Sequence, residues 1–259
     1  MRVLLVILTA TFSFWASAAF ADMSACDAAS RSKSPDEQIS LYTICLRTAP
    51  YKTDRAGAYN NRGLAYIAKG DLDSALSDFT ASIENDPSFA VAYMNRAKIN
   101  VARRHFDLAE ADLDKAVRLP PGRVRAQAYE MRGMVRSVRG NYSGAVADFE
   151  QAISFDKKLD NAYTQAARIL ATCPDAKVRD GAKAVTLALK AVELNDTAET
   201  EDVLAAAYAE AGRFDDAVRT ETSAIAKAGG AATPAMTARL TLYQAGKPYR
   251  EGGASPDVE

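Results

Sequence analysis

Histidine and cysteine, the side chains that most often bind metals or act as nucleophiles, are scarce in this chain of 259 residues. It contains one histidine, His105, and three cysteines, Cys26, Cys45 and Cys173. A metal site would need a second histidine or a cysteine pair at ligand spacing, and a catalytic triad would have to rest on His105. We interpret His105 as a solvated turn residue and Cys173 as a small buried hydrophobe. We therefore expect no enzymatic activity, no metal and no cofactor.

The first 21 residues have the organisation of a secretory signal peptide. Arg2 supplies a positive charge, an apolar run extends from Val3 to Trp15, and Ala19-Phe20-Ala21 offers small residues where a signal peptidase reads them. We predict that residues 1–21 are removed and that the mature chain is periplasmic or secreted, without an integral membrane segment. An uncleaved anchor is one alternative. Lipidation at Cys26 is another, because the preceding residues loosely resemble a lipoprotein cleavage box.

One short segment occurs three times along the chain. Residues 59–63 read Tyr-Asn-Asn-Arg-Gly, residues 93–97 read Tyr-Met-Asn-Arg-Ala, and residues 129–133 read Tyr-Glu-Met-Arg-Gly. The steps between the copies are 34 and 36 residues. Self-similarity at this period predicts a stack of supersecondary units rather than a globular enzyme fold.

Each unit has the pattern of two amphipathic helices joined by a tight turn. In residues 56–89, Tyr59, Gly63 and Tyr66 share one helical face, and a second apolar stripe follows a Gly-Asp break. Gly63 is small where two helices must approach closely, and bulky side chains fill the space around that contact. Pro87 ends the second helix because the residue before a proline avoids the α-helical region.

These positions resemble the tetratricopeptide-repeat (TPR) family, which places an aromatic, a small residue and a tyrosine before an alanine, an aromatic, a small residue and a proline. In the first unit they are Tyr59, Gly63, Tyr66, Ala75, Phe79, Ser82 and Pro87. The resemblance implies an all-α fold: an α-solenoid of about five helix-turn-helix repeats with a degenerate N-terminal unit and a C-terminal capping helix. We predict the degenerate unit at residues 22–55, the TPR array at 56–231, the capping helix at 232–249 and a disordered tail at 250–259. The repeats are predicted at about 56–89, 90–123, 126–159, 160–196 and 198–231, with an inserted loop around Cys173 in the fourth.

An arginine and an aspartate recur together in the three regular repeats, the arginine on the first helix and the aspartate on the second. The pairs are Arg62 with Asp78, Arg96 with Asp112 and Arg132 with Asp148, each 16 residues apart. A row of arginines could bind an acidic ligand. A carboxylate at the equivalent place in each repeat instead favours structural ion pairs between the helices, and we predict three of them.

The first helices line the inner surface of a TPR solenoid, so the resemblance implies a partner-binding groove there. The predicted groove residues are Asn60, Asn61, Leu64, Ile67, Met94, Asn95, Lys98, Gln127, Glu130, Met131, Met134 and Arg168. Some TPR domains hold a peptide C-terminal carboxylate in a clamp of lysines, asparagines and an arginine. Only Asn95 matches that clamp, whereas Asn60, Leu64, Gln127 and Met131 depart from it, which disfavours this ligand. Amides and adaptable apolar side chains suit an extended or helical protein segment, although some of these residues could instead pack between repeats.

Cys26 and Cys45 fall in the degenerate unit. Counting the repeat register back places both at the tight contact between two helices, where Cα atoms are close enough for a disulfide. An oxidising compartment favours the bridge, which would add roughly 2–4 kcal/mol to this end of the chain. Two buried free thiols are the alternative.

These features predict a non-enzymatic periplasmic scaffold that binds an envelope protein or peptide segment in its concave groove. A structural subunit or assembly factor of an envelope secretion, export or outer-membrane complex is the alternative. A polysaccharide-binding accessory is less favoured, because the one tryptophan, Trp15, lies in the predicted signal peptide. With 32 basic and 33 acidic residues, the chain gives no reason to expect nucleic acid as a partner. Neither the identity of the protein partner nor the oligomeric state follows from the sequence.

Overall fold

The computed structural model describes residues 25–49, 51–119, 122–229 and 233–251, and the regular secondary structure in these ranges is helical. Residues 25–31 form α1. The following helices are α2 (Pro35–Thr48), α3 (Lys52–Ala68), α4 (Leu72–Asn85), α5 (Ala90–Ala102), α6 (Phe106–Ala116), α7 (Arg123–Val138), α8 (Tyr142–Phe155), α9 (Asp160–Thr172), α10 (Gly181–Leu194), α11 (Ala198–Glu210), α12 (Phe214–Ala228) and α13 (Pro234–Gln244). The all-α repeat fold is confirmed. The predicted signal peptide, residues 1–21, lies outside the described residues.

The helices of a repeat approach closely where the sequence provides glycine. A Cβ atom added to Gly63 of α3 would lie 2.7 Å from Cε1 of Phe79 in α4. One added to Gly133 of α7 would lie 2.9 Å from Cε1 of Phe149 in α8. Both rings are buried. The glycine therefore makes room for an aromatic ring of the second helix, and this contact sets how closely the two helices pack.

The turn inside a repeat requires a left-handed backbone conformation. Gly70, Gly140 and Gly212 adopt it with φ values of 79°, 78° and 75°. The second repeat places Arg104 at the equivalent position, with φ 61°. Such a conformation costs a residue with a Cβ atom roughly 1 kcal/mol relative to glycine, so this turn is strained.

The chain divides into two compact units, residues 1–120 (unit 1) and 121–259 (unit 2). In unit 1, α2 packs on α3, α3 on α4, α4 on α5 and α5 on α6. In unit 2, each helix from α7 to α12 packs on the next, and α9 also contacts α11. The last helix, α13, packs on α12. Its Tyr243 is buried in the core cluster of unit 2 together with Phe149 and Val203.

Two features lie at the ends of the described chain. Cys26 and Cys45 form a disulfide between α1 and α2, with their Cα atoms 5.3 Å apart. At the other end, residues 250 and 251, the first two of the tail that the sequence predicts as disordered, contact unit 2. Arg250 forms an ion pair with a carboxylate, and the Glu251 N–H donates to a helix carbonyl. These contacts hold residues 250 and 251 against unit 2.

Candidate functional site

The first predicted Arg–Asp pair is a two-bond ion pair between α3 and α4. Arg62 Nε donates to Asp78 Oδ2 and Arg62 Nη2 donates to Asp78 Oδ1, both at 2.8 Å. The guanidinium also lies over the ring of Tyr59, 5.5 Å from its centroid. The hydrogen bond with Asp78 raises the pKa of Arg62 despite the opposing effect of burial. Two parallel bonds to a nearly buried carboxylate fix both side chains.

The same geometry recurs in the next two repeats, so all three predicted pairs are confirmed. Arg96 and Asp112 are joined at 2.9 and 2.6 Å, as are Arg132 and Asp148. In the third repeat Arg136 adds a further bond to Asp148 at 2.9 Å. Because these guanidinium groups are already bonded to carboxylates, the arginines connect helices rather than offer a row of cations to an acidic ligand.

Three of the predicted groove residues are buried and do not face a partner. Asn60, Met94 and Asn95 are only 3%, 5% and 5% exposed. Asn95 Nδ2 donates to Asn60 Oδ1 at 2.9 Å, which links α5 to α3. Burial leaves these three side chains little surface that a partner could contact, and the bond between Asn60 and Asn95 joins the first helices of neighbouring repeats. The one residue that matches the carboxylate clamp, Asn95, is therefore not available to a ligand.

Other predicted groove residues remain accessible. In unit 1, Asn61, Leu64 and Lys98 are exposed, with Leu64 at 44%. In unit 2, Gln127 and Met134 are exposed, with Met134 at 40%. Large apolar side chains this open to solvent on otherwise polar helices are candidates for contact with a partner.

The remaining predicted groove residues are partly buried. Ile67 packs against the small core formed around Phe79. In unit 2, Glu130 accepts a hydrogen bond from Asn161 Nδ2 at 2.6 Å. Arg168 Nη2 donates to Glu199 at 2.6 Å, and Met131 is half-buried. A partner could reach the edges of these side chains only.

A surface cavity of about 360 Å³ lies between α1, α2 and α3 of unit 1. Its lining residues are Cys26, Asp27, Ser30, Tyr42, Thr53, Asp54, Gly57, Ala58 and Asn61. A Cβ atom added to Gly57 would meet no atom within 4 Å, so this glycine leaves open space that helix packing does not require. The cavity continues the exposed surface of α3 towards α1, since Asn61 belongs to both.

His105 and Cys173, the side chains best suited to catalysis, do not form a catalytic site. His105 is exposed in the turn between α5 and α6. Cys173 is a buried free thiol, and burial raises its pKa, which opposes formation of the reactive thiolate. Within the described ranges, no cluster of histidine, cysteine and carboxylate side chains could hold a metal ion. None of the described helices has the length and apolar character that a membrane crossing needs.

Sequence reasoning missed a buried carboxylate in unit 2. Glu221 of α12 is 0% exposed, and both carboxylate oxygens lack a hydrogen-bond donor. Arg239 Nε of α13 lies 3.8 Å from Glu221, but the guanidinium bonds Asp202 of α11 at 2.6 Å. Burial, reinforced by the negative charge of Asp202, raises the pKa of Glu221 to about 8. In the sequence this residue looks like any glutamate on an amphipathic helix, so no local signal marks it.

The paired helices, the Arg–Asp bridges and the exposed first-helix side chains define a helical repeat protein without an assembled catalytic group in its described part. Profiles for the tetratricopeptide repeat match residues 56–89 and 94–162, and neither describes an enzyme. Residues 56–89 and 94–162 are therefore tetratricopeptide repeats, as the sequence predicted.

Relatives and solved structures agree with this assignment. Human tetratricopeptide repeat protein 36 is 37% identical over 103 residues, 38% of this chain and 53% of that protein. RNA polymerase II-associated protein 3 of Xenopus laevis is 32% identical over 104 residues, 40% of this chain and 16% of that protein. The chain thus matches about half the length of the first relative and a much smaller part of the second. The structure of pilF from Pseudomonas aeruginosa has a TM-score of 0.68 at 14% identity and covers 90% of this chain and 99% of that one. This likeness shows the fold alone.

Proposed function

We propose that the chain is a non-enzymatic periplasmic scaffold that binds a segment of an envelope protein on the first-helix surface of unit 1. We define this surface as Asn61, Leu64 and Lys98 with the adjoining cavity between α1 and α3. Its partner is an extended or helical protein segment. Membership of a repeat family whose domains bind proteins and peptides supports the proposal.

The observation that carries the proposal is the exposure of Leu64. Its side chain is 44% exposed in the middle of α3, between the polar Asn61 and the half-buried Ile67. A leucine in this setting contributes little to packing within the unit. Burying the rest of it against a partner would remove apolar surface from water, worth about 1 kcal/mol. The open space at Gly57 extends the surface by about two helical turns, enough for a segment rather than a single side chain.

Periplasmic location is supported by the signal-peptide pattern and by the Cys26–Cys45 bridge, because disulfides persist in that compartment. Expression of the full chain in a bacterium should yield a periplasmic protein that begins at Asp22 with residues 26 and 45 oxidised. Peptide mapping without reductant measures both features. A cytoplasmic product that retains residues 1–21, or two free thiols in periplasmic protein, would contradict this part of the proposal.

The binding surface is tested by two matched leucines. Leu64 lies on the first-helix surface, and Leu108 lies on α6, a second helix of the same unit, with 58% exposure. Leu64→Glu should abolish capture of the partner from periplasmic extract, whereas Leu108→Glu should leave it unchanged. Equal melting temperatures for the two variants would show that folding is not the cause.

The same pair of variants separates the main alternative, a structural subunit of an envelope assembly that uses second helices or repeat ends. That alternative requires Leu108→Glu to disrupt the assembly and Leu64→Glu to be tolerated. A polysaccharide-binding accessory would be indicated if a soluble glycan, rather than a protein, competed for the Leu64 surface.

A further inference from the structure

The chain continues past α13 as a short non-helical segment that docks on unit 2. We call residues 247–251 the C-terminal strap. The helix stops where Gly246 takes a left-handed conformation with φ 67° and the Lys247 N–H donates to the Leu242 carbonyl at 2.9 Å. From there the strap has no regular secondary structure and reaches the last residues of both α9 and α11.

Two short polar contacts hold the end of the strap, and two longer ones at 3.4 Å join Arg250 Nη1 to the Ala171 carbonyl and Thr172 Oγ1 to Glu251 Oε2. The Glu251 N–H donates to the carbonyl of Thr172, the last residue of α9, at 2.8 Å. Arg250 Nη2 lies 2.6 Å from Oε2 of Glu210, the last residue of α11. A main-chain hydrogen bond combined with a side-chain ion pair is a common way in which proteins recognise extended peptides.

An aromatic side chain provides the third contact. Tyr249 is partly buried against the core of unit 2, and the Arg239 guanidinium lies 5.5 Å from the centroid of its ring. A cavity of about 190 Å³ remains beside Tyr249, lined also by Arg168 and Asp202. The strap therefore occupies this surface without filling it.

The groups that receive the strap are positioned by the rest of unit 2. Arg179 Nε donates to Glu210 Oε1 at 3.0 Å, and Arg179 Nη1 donates to the Cys173 carbonyl at 2.8 Å, so the inserted loop orients this carboxylate. The Thr172 carbonyl lies in the last turn of α9, where a helix leaves carbonyls without intrahelical donors. The C-terminal ends of both helices also carry partial negative charge, which favours an arginine.

We propose that the C-terminal ends of α9 and α11 form a binding site for an extended protein segment with an aromatic residue followed by an arginine. The strap is the resident occupant, and a partner segment of the same chemistry displaces it. Thr172 receives the main-chain N–H, Glu210 receives the arginine, and the slot beside Arg239 receives the aromatic ring. The site lies in unit 2 and stands independently of the Leu64 surface in unit 1.

Tethering sets how strongly the strap competes. A segment joined by a few residues has an effective concentration on the order of 1 mM. A free peptide with an intrinsic dissociation constant of about 100 µM or lower should therefore bind the intact chain at least about ten-fold more weakly than a chain whose strap is released.

The test uses the full chain and a peptide copy of the strap. The probe is a fluorescein-labelled, amidated peptide with the sequence of residues 246–251, and fluorescence anisotropy measures its binding. The double variant Tyr249→Ala/Arg250→Ala should bind the probe at least ten-fold more tightly than the unmodified chain. Lys247→Ala alters a strap residue outside the three contacts and should bind like the unmodified chain.

Changes in the probe keep the test informative without altering the protein. Replacing the arginine of the probe with glutamate should weaken its binding to the released variant at least ten-fold. Arg250→Ala alone retains Tyr249. This variant should bind the probe more tightly than the unmodified chain does, but by a smaller factor than the double variant. Equal binding of the probe to released and unmodified chains, with circular dichroism confirming folded protein, overturns the proposal. The proposal is also overturned if the released variant binds the probe with the same affinity after its arginine is replaced with glutamate.

Discussion

Replacing Glu221 with glutamine should stabilise unit 2 at neutral pH and change little in acid. Glu221 is fully buried, and its carboxylate oxygens have no donor within hydrogen-bond reach. The groups that face it are Asp202 of α11 and Arg239 and Tyr243 of α13. Glutamine has nearly the same shape, carries no charge and can donate its amide N–H to Asp202. The substitution therefore places a neutral group here that takes up no proton on folding, and it opens no cavity.

The size of the effect follows from the pKa of Glu221, which is about 8 in the folded protein against an ordinary value of 4.5. Below pH 4.5 both the folded and the unfolded chain hold the proton. Between pH 4.5 and 8 the unfolded chain releases it and the folded chain retains it, so stability falls as the pH rises. At pH 7 this costs about 3 kcal/mol. The charges of Asp202 and Arg239 also contribute to this pKa. We therefore expect Glu221→Gln to raise the free energy of unfolding by roughly 1–3 kcal/mol.

Thermal unfolding followed by circular dichroism between pH 4.5 and 8.5 measures this difference. The gap between Glu221→Gln and the unmodified chain should open as the pH rises and reach about 5 °C in melting temperature near pH 7. Glu193→Gln is the matched control, because the Glu193 side chain is 68% exposed. A Glu221→Gln protein that is less stable at pH 7, or a gap that does not vary with pH, would refute the reasoning.

Four further substitutions test the packing of the repeats by chemical denaturation. Arg96→Ala should cost about 2 kcal/mol, because it leaves a nearly buried aspartate without its cation, while partner capture is retained; loss of capture at unchanged stability would show that the arginine binds the partner. Gly57→Ala should stabilise α3 by roughly 0.5–1 kcal/mol and Gly63→Ala should destabilise it, since an added Cβ meets nothing at the first position and an aromatic ring at 2.7 Å at the second; the reverse order would be incompatible with the packing described. Arg104→Gly should raise the free energy of unfolding by about 1 kcal/mol, because glycine adopts the positive φ of this turn without strain. An unchanged free energy of unfolding would mean that the turn is unstrained.

The hairpins could be predicted because their determinants are local and recur in the sequence. Gly63 and Phe79 mark one contact between two helices, and the repeat period places Gly133 and Phe149 at the equivalent contact. The Arg–Asp bridges were predictable for the same reason: the fixed spacing of 16 residues places both charges at one point of each hairpin. The residue pattern of one hairpin is a weak signal, but its recurrence at a fixed period makes the prediction specific.

The candidate sites were less predictable, because burial between elements leaves no local pattern. Asn60 and Asn95 are polar residues on first helices, yet they bond to each other between repeats. Glu221 lies on a helix rich in charged residues, yet it is buried near Asp202 of α11 and Arg239 of α13. The strap residue Tyr249 follows a helix in a segment without periodicity. Each depends on a contact between residues distant in sequence or on an irregular segment.

The central claim, that the first-helix surface of unit 1 binds a protein partner, is tested most directly by photo-crosslinking in the periplasm. A photoreactive phenylalanine analogue is placed at position 64 or at position 108 of the full chain, both of which are exposed leucines in unit 1. Our account predicts that position 64 crosslinks to one discrete protein partner and that position 108 does not. A partner crosslinked at position 108 and absent at position 64 would contradict it.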